Sequence, residues 1–491
     1  MNAIYKYKEY VFLSSLILFI FRYNGNDIFL IPLFIYIFFH YKSKNLTTNK
    51  NHYNKILFVG IFIIILTFFI RVLSFSYHHY DIGIYHNMIT NLVTNGMYYD
   101  DLNKVHGFGG HFEPLFLAIF YPLYSLKISV FWIIFLKAII IILFVFECRK
   151  LNPNIIYPLL LILFFFHPFY HNAIEWEFHP TNLSLVFIIY AYIFIRNENF
   201  IKVIITTLIA MGLKENAGVI ACGFGLVMMT QKNSIKYGIF LVFLSIFYMG
   251  FTWFYIIPHF ADGNTFKASD INLIRDFPDK IKYFILAYLP FFFMPLINWK
   301  WFLLTIPAIG INLIGKPNMY SGNFHYNDIL IPLILVASYH SIEIKYTIMK
   351  RLFYKYKSVI LIPVISIIFT LPESPVQKLV RYLPDSKDLN AFFEIRTFLS
   401  NNPKAHLGVS ENISPLVDRG NITIFADDFR CELNNESEYI IIYEQTYRNQ
   451  EHLKSCLKRI EESPLWIRKK EHQNIFIFQK TGLAQLRRLD K

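Results

Sequence analysis

Apolar residues fill the first 371 positions in blocks of membrane-span length, separated by short polar stretches. A crossing helix needs roughly 20 apolar residues, with about 17 to 25 usual. Such blocks occur at 8–22, 27–41, 56–75, 128–147, 155–170, 181–196, 201–213, 216–230, 237–257, 281–297, 301–315, 328–345 and 358–371. They predict a mostly α, polytopic bundle of about 13 transmembrane helices. A further block, 113–127, is also apolar, but Pro114 and Pro122 interrupt it and Lys127 ends it.

From 385 the pattern changes. Apolar runs shorten to strand length at 405–410, 422–425, 439–445 and 474–479. Between them, "LNAFFEIRTFLSNN" and "RNQEHLKSCLKRIEES" carry helical spacing. The expectation is a small α/β domain over 385–491, after two N-terminal spans in 1–55 and a membrane core over 56–372. The tail has no GxGxxG or P-loop motif, so nucleotide binding through those motifs is not indicated. Residues 9–22 lack a small-residue cleavage site, so no cleavable signal peptide is read there.

Composition agrees with the pattern. The 491 residues are 55% hydrophobic and 16% charged, with mean hydropathy +0.39, whereas average soluble domains carry about 25% charged residues. The net charge of +13 would suggest nucleic acid in a soluble chain. Here the basic residues fall between apolar blocks, where the positive-inside rule accounts for them. Membrane lipids are therefore the expected partners, and nucleic acid is not. The 19% aromatic content is partly what an AT-rich genome would produce.

Charge also orients the chain. Basic residues cluster in 42–55, at Arg149-Lys150, at Arg196 and Lys202, at Lys232 and Lys236, and in 345–357. All lie on one side only if 113–127 does not cross, which makes that block a re-entrant half-helix, tolerated where protein or a wet cavity covers its backbone. The basic side is the cytoplasm. The other side receives a first loop at 76–112, then 171–180, Lys214-Glu215, 258–280, 316–327 and the α/β tail. Of the four cysteines, Cys431 and Cys456 share that tail, where a disulfide is open to them.

Those outer loops hold most of the chemistry. Ten of the 16 histidines fall on or beside them. Ionisable groups near a membrane interior are costly and default to a functional reading, although a single loop histidine is equally at home at an interface. In "YDIGIYHNM", Asp81 stands at the membrane surface, before apolar spacing that suggests a short amphipathic helix lying on the interface. It could bind a metal, act as a base or cap that helix. "GFGGHFEP" places His111 and Glu113 on a glycine-rich rim, or forms a simple flexible turn. Glu175, Glu177 and His179 form an E-x-E-x-H run that could supply metal ligands if extended, or form a plain solvated loop, and it matches no zinc signature. Lys214 and Glu215 interrupt almost 30 apolar residues, either as a hairpin turn or as a phosphate-binding lysine with its partner. His325, Tyr326 and Asp328 precede a span.

The order of these motifs resembles a bacterial and archaeal family of membrane proteins. The resemblance rests on Asp81-Ile82-Gly83 with Asn91 and Gly96, on His111-Phe112-Glu113-Pro114, on Phe178-His179-Pro180, on Lys214-Glu215-Asn216-Ala217-Gly218 and on His325-Tyr326. It covers roughly residues 56–480. That family looks like a branch of the GT-C superfamily of integral membrane glycosyltransferases.

The resemblance implies a GT-C-like core, a lipid-phosphate-linked sugar donor and an acidic catalytic residue in the first outer loop, here Asp81. His111, Glu113, His179, Lys214, Glu215, His325 and Tyr326 would bind substrate. A divalent ion remains an open cofactor, with carboxylate and imidazole ligands suited to Mn²⁺ or Zn²⁺. The expected location is the bacterial inner membrane, with an extracytoplasmic tail; the acceptor is unspecified. The loop departs from the superfamily in lacking an acidic pair at 81–82, its second acids being Asp100 and Asp101. Two other classes compete: a transporter or lipid-handling protein, since transporters also keep charges near broken helices, and a non-catalytic membrane scaffold.

Overall fold

A computed structural model describes residues 50–77, 79–101, 104–151, 156–261, 275–322, 324–344, 375–418, 422–426, 431, 437–444, 450–472 and 474–481. The expected spans 8–22, 27–41 and 358–371 lie outside the described residues. The described chain is mostly helical, with a small C-terminal sheet.

The helices are α1 (Lys50–Leu73), α2 (Ile84–Asn95), α3 (Pro114–Leu126), α4 (Phe131–Leu151), α5 (Ile156–Phe165), α6 (Pro168–Glu175), α7 (Ser184–Arg196), α8 (Phe200–Met211), α9 (Gly218–Met229), α10 (Ile235–Phe251), α11 (Phe277–Tyr288), α12 (Ile306–Ile314) and α13 (Leu330–Ile344). By length and composition, three described segments can cross a membrane alone: Phe131–Leu151, Ile235–Phe260 and His325–Ile344. A fourth is possible if Pro168–Glu175 and Pro180–Arg196, bent by 116°, count as one span.

Other apolar blocks are helical but broken. Block 281–297 stops at Tyr288, where Pro290 and the left-handed Phe292 and Phe293 (φ 54° and 55°) interrupt it. Block 301–315 divides into Trp299–Phe302 and α12. The 13 residues of α3 reach only about 20 Å at 1.5 Å per residue, short of a crossing of about 30 Å. Its Leu115 N–H donates to Gly212 O (2.7 Å), joining it to the α8–α9 turn.

Close helix packing depends on small residues, as is usual in membranes. A Cβ on Gly238 of α10 would stand 2.6 Å from the Gly225 carbonyl of α9, so a larger side chain would force these helices apart.

Residues from 76–112, 171–180, 214–215 and 316–327 meet one another, as described below. Away from them, Arg196 at the end of α7 pairs with Glu343 at the end of α13 (2.6 Å), and Glu147 near the end of α4 pairs with Lys150 (2.8 Å).

The tail adds α14 (Pro375–Arg381), α15 (Ser386–Asn401) and α16 (Gln450–Glu461) around a five-stranded sheet. Its strands are β3 (Leu407–Ser410), β4 (Ile422–Ala426), β5 (Tyr439–Tyr443), β6 (Trp466–His472) and β7 (Ile475–Lys480), after a small hairpin of β1 (Tyr99–Asp100) and β2 (Val105–His106) in the first loop. The sheet order is β4-β3-β5-β7-β6; β3 runs parallel to β4 and β5, and β7 antiparallel to β5 and β6. Strand β6 escaped the sequence reading because its charged WIRKKEH does not read as an apolar run. Cys431 pairs with Cys456 of α16, Cα atoms 5.7 Å apart.

Tail and helices share one core. Phe75, just past α1, packs against Tyr443 of β5 with ring centroids 4.4 Å apart and planes tilted by 39°. Helix α2 was expected to lie on the interface, yet Tyr85 to Asn91 are all buried. It is covered instead by α3 and by the tail: His86 contacts Tyr124 Oη (2.8 Å) and Val417 O (3.2 Å).

Candidate functional site

Asp81 sits in a π-helical turn, His79–Gly83, that leads into α2. The free N–H groups at this helix start need acceptors, and Glu177 supplies them: its Oε2 accepts from the N–H of Ile82 (3.2 Å) and of Asp81 (3.4 Å). The Trp176 indole N–H donates to Asp81 Oδ2. Burial and the neighbouring Glu177 carboxylate push the Asp81 carboxyl up to about 7, against the opposing Trp176 hydrogen bond.

The turn that presents Trp176 and Glu177 is held from beneath. Helix α6 ends at Glu175, leaving carbonyls without helical partners. Lys137, buried in α4, donates to Ile174 O (2.6 Å), Trp176 O (3.2 Å) and Glu177 O (3.3 Å). Arg71 of α1 donates to Glu175 O and to Ser76 O (2.9 Å). Two cations thus satisfy a helix C-terminus, where positive charge is favoured. Replacing Lys137 by Met strands these carbonyls, each unsatisfied buried group costing about 1–3 kcal/mol. Hydrogen exchange should rise over 174–177 and thermal stability should fall; unchanged exchange there would show that Lys137 does not hold the turn.

Opposite Asp81 stand two imidazoles and a lysine. The His179 and His325 rings stack at 3.9 Å with an interplanar angle of 15°. Lys214 Nζ lies 2.9 Å from His179 Nε2. His179 Nδ1 is 3.1 Å from Thr181 Oγ1, and the Thr181 hydroxyl donates to Asp328 Oδ2. The Thr181 oxygen therefore accepts from a proton on His179 Nδ1, leaving Nε2 as the unprotonated nitrogen, while Lys214 Nζ lies within 3.4 Å of both ring nitrogens. Burial, then the charges of His325, Lys214 and His111, hold His179 well below its usual value, so it is neutral near pH 7.

The rim carries the remaining candidates. Glu215 accepts from the Phe112 N–H (3.0 Å) and contacts His111 Nδ1 (2.9 Å). Burial opposes its ionisation, but His111 and Lys214 outweigh it and hold Glu215 below the usual carboxylate range. Glu113 Oε1 accepts from Tyr98 Oη (2.7 Å). Asp81, Asp100, His111 and Glu113 line a cleft of about 260 Å³, together with Gly107 and Gly110. Gly109 beneath it lies so close to the Phe260 carbonyl that a Cβ would come within 2.6 Å. Tyr326 packs on His325 at 4.3 Å.

All eight sequence candidates therefore gather in one region. Asp81, His179 and His325 are near enough to share an ion: each offers one ligand atom, and these atoms lie within 4.8 Å of one another. His111 and Glu215 pair with each other instead. The E-x-E-x-H run does not act as a ligand set, because Glu177 caps the Asp81 turn while Glu175 turns away to His171 (2.7 Å) and Lys378. Sequence reasoning passed over Lys137, Trp176 and Thr181. Only Lys137 carried a signal, as a lysine in the middle of an apolar span.

No curated protein and no solved structure matches the chain. The model of one family, "Predicted membrane protein (DUF2079)", matches residues 71–272 and 269–476, most of the chain and every part of the site. The chain belongs to this family of membrane proteins.

Proposed function

We propose that the protein transfers a sugar from a polyprenyl-phosphate donor to an acceptor hydroxyl at the non-cytoplasmic face of the bacterial inner membrane. One observation carries this reading: Asp81, Trp176, His179, Lys214 and His325, drawn from four loops spread over 245 positions, meet at one end of an apolar bundle. A membrane protein keeps such groups together at a cost, and a carboxylate beside a buried lysine suits displacement of a phosphate.

In the reaction, the acceptor oxygen attacks the anomeric carbon as its proton passes to Asp81. The bond from that carbon to the phosphate oxygen breaks, and its electron pair leaves on the polyprenyl phosphate, stabilised by the Lys214 ammonium. This is a single displacement and inverts the anomeric configuration. His111, Glu113, Glu215 and Tyr326 shape the acceptor side of the cavity. The whole chain has about 13 crossings, two of them ahead of a GT-C-like core, with the basic loops in the cytoplasm and the tail outside. The Cys431–Cys456 pairing suits that oxidising side.

The test is label transfer in proteoliposomes holding the full chain, a panel of labelled polyprenyl-phosphate hexoses and an extract of cell-envelope acceptors. Transfer that depends on both Asp81 and Lys214 supports the reading. It fails if no donor is consumed, or if Asp81→Asn and Lys214→Ala both retain full transfer. Uptake of substrate without any covalent product would assign the site to transport.

A further inference from the structure

We infer that Asp81, His179 and His325 form a binding site for one divalent ion of the Zn²⁺ class. This goes beyond the transfer reading and does not depend on it, because an ion can be measured without any substrate.

Four observations support the inference, the first being proximity. One ligand atom from each residue lies within 4.8 Å of the other two, and metal bonds of about 2.0–2.2 Å would draw such a set together around one ion. Second, His179 is oriented as a ligand. Its Nδ1 proton is fixed through Thr181 to the Asp328 carboxylate, which Asn182 also contacts at 3.3 Å. A carboxylate relay behind the ring is how metal-bound imidazoles are held in one tautomer.

Third, His325 Nδ1 is buried without a hydrogen-bond partner among the described residues. Buried side-chain nitrogens are seldom left so, and a nearby ion offers one a partner. Fourth, a cation already sits against this ring, since Lys214 Nζ lies 2.9 Å from His179 Nε2 and 3.4 Å from Nδ1. An ion arriving there must displace it, freeing Lys214 for an anion such as a phosphate.

The donor set decides the class of ion. Two imidazoles and one carboxylate suit Zn²⁺ or its neighbours better than Mg²⁺ or Ca²⁺, which prefer oxygen alone. Three protein ligands also leave a position open, the arrangement of catalytic zinc sites rather than structural ones.

The experiment uses the full chain purified in detergent, stripped with a chelator and titrated with Co²⁺, whose visible absorption reports the ligand set. One Co²⁺ per chain is expected, displaced by Zn²⁺ and lost in His179→Ala and in His325→Ala. Thr181→Val, which touches only the relay, should weaken affinity by about 10–100-fold. Lys214→Met should act in the opposite direction, tightening binding about tenfold by removing a competing positive charge.

The inference is overturned if the native chain takes up no stoichiometric Co²⁺. It is equally overturned if both histidine variants keep the wild-type spectrum, or if Lys214→Met weakens binding. A histidine variant that fails to fold leaves the wild-type titration and the Lys214 arm to decide.

Discussion

Asp81→Asn is expected to lower the rate of sugar transfer by about 10²–10⁴-fold, the usual contribution of a positioned general base, while leaving the fold intact. The reason lies in how the residue is held. Glu177 caps the turn through backbone N–H groups, so the cap survives any side chain at position 81. The Trp176 indole still finds an acceptor in the asparagine carbonyl oxygen. What asparagine cannot do is accept the proton of an acceptor hydroxyl. The measurement is single-turnover transfer alongside thermal melting: a lost rate with an unchanged melt supports the role, and a wild-type rate with an unchanged melt removes it. Trp176→Phe offers a graded comparison. It removes the donor to Asp81 Oδ2 but keeps the carboxylate, so a loss of only about tenfold is expected, a share typical of one hydrogen bond. If Trp176→Phe were as damaging as Asp81→Asn, position rather than proton transfer would dominate.

The helices were readable because apolar block length and the spacing of Lys and Arg are local properties. Blocks such as 128–147 and 201–213 correspond to α4 and α8 within a few residues, and the tail strands at 439–445 and 474–479 to β5 and β7. Three features were not readable, each for a long-range reason. The amphipathic spacing of α2 predicts one wet face, but the tail, more than 300 residues later, covers that face through Val417. A block such as 281–297 is apolar throughout, yet its prolines and left-handed phenylalanines break it, and hydropathy alone does not register backbone geometry. Glu177 looked like a metal ligand from its neighbours at 175 and 179. Its actual partners are backbone amides 95 and 96 residues earlier. The site residues themselves could be named because polar groups stand out in an apolar chain; their roles depend on which loops meet.

Lys378→Met is expected to detach the tail's first helix from the bundle, because Lys378 closes a buried ion pair across that junction. Helix α14 packs on α1, and its Lys378 meets Glu175 at the end of α6. Glu175 also contacts His171 Nε2 (2.7 Å), and all three residues are buried. Burial holds His171 below its usual value despite Glu175, so Lys378 is the cation that balances this carboxylate near neutral pH. Removing one partner of a buried pair typically costs about 3–5 kcal/mol, because the other charge is left uncompensated. Hydrogen exchange over 375–401 should therefore rise sharply in Lys378→Met, together with a lower melting temperature. The double variant Lys378→Met/Glu175→Gln should recover much of the loss, since no bare charge remains. Acid gives an independent check. Although burial opposes ionisation, His171 and Lys378 bring Glu175 down to about 2 from its ordinary 4.5. A depressed carboxylate stabilises the fold fully above its unfolded value and loses that contribution as pH falls through its folded one. The wild type should thus lose tail protection progressively between about pH 4.5 and 2, whereas Glu175→Gln should show no such loss from this site. Equal acid sensitivity in the two proteins would mean that the pair does not anchor the tail.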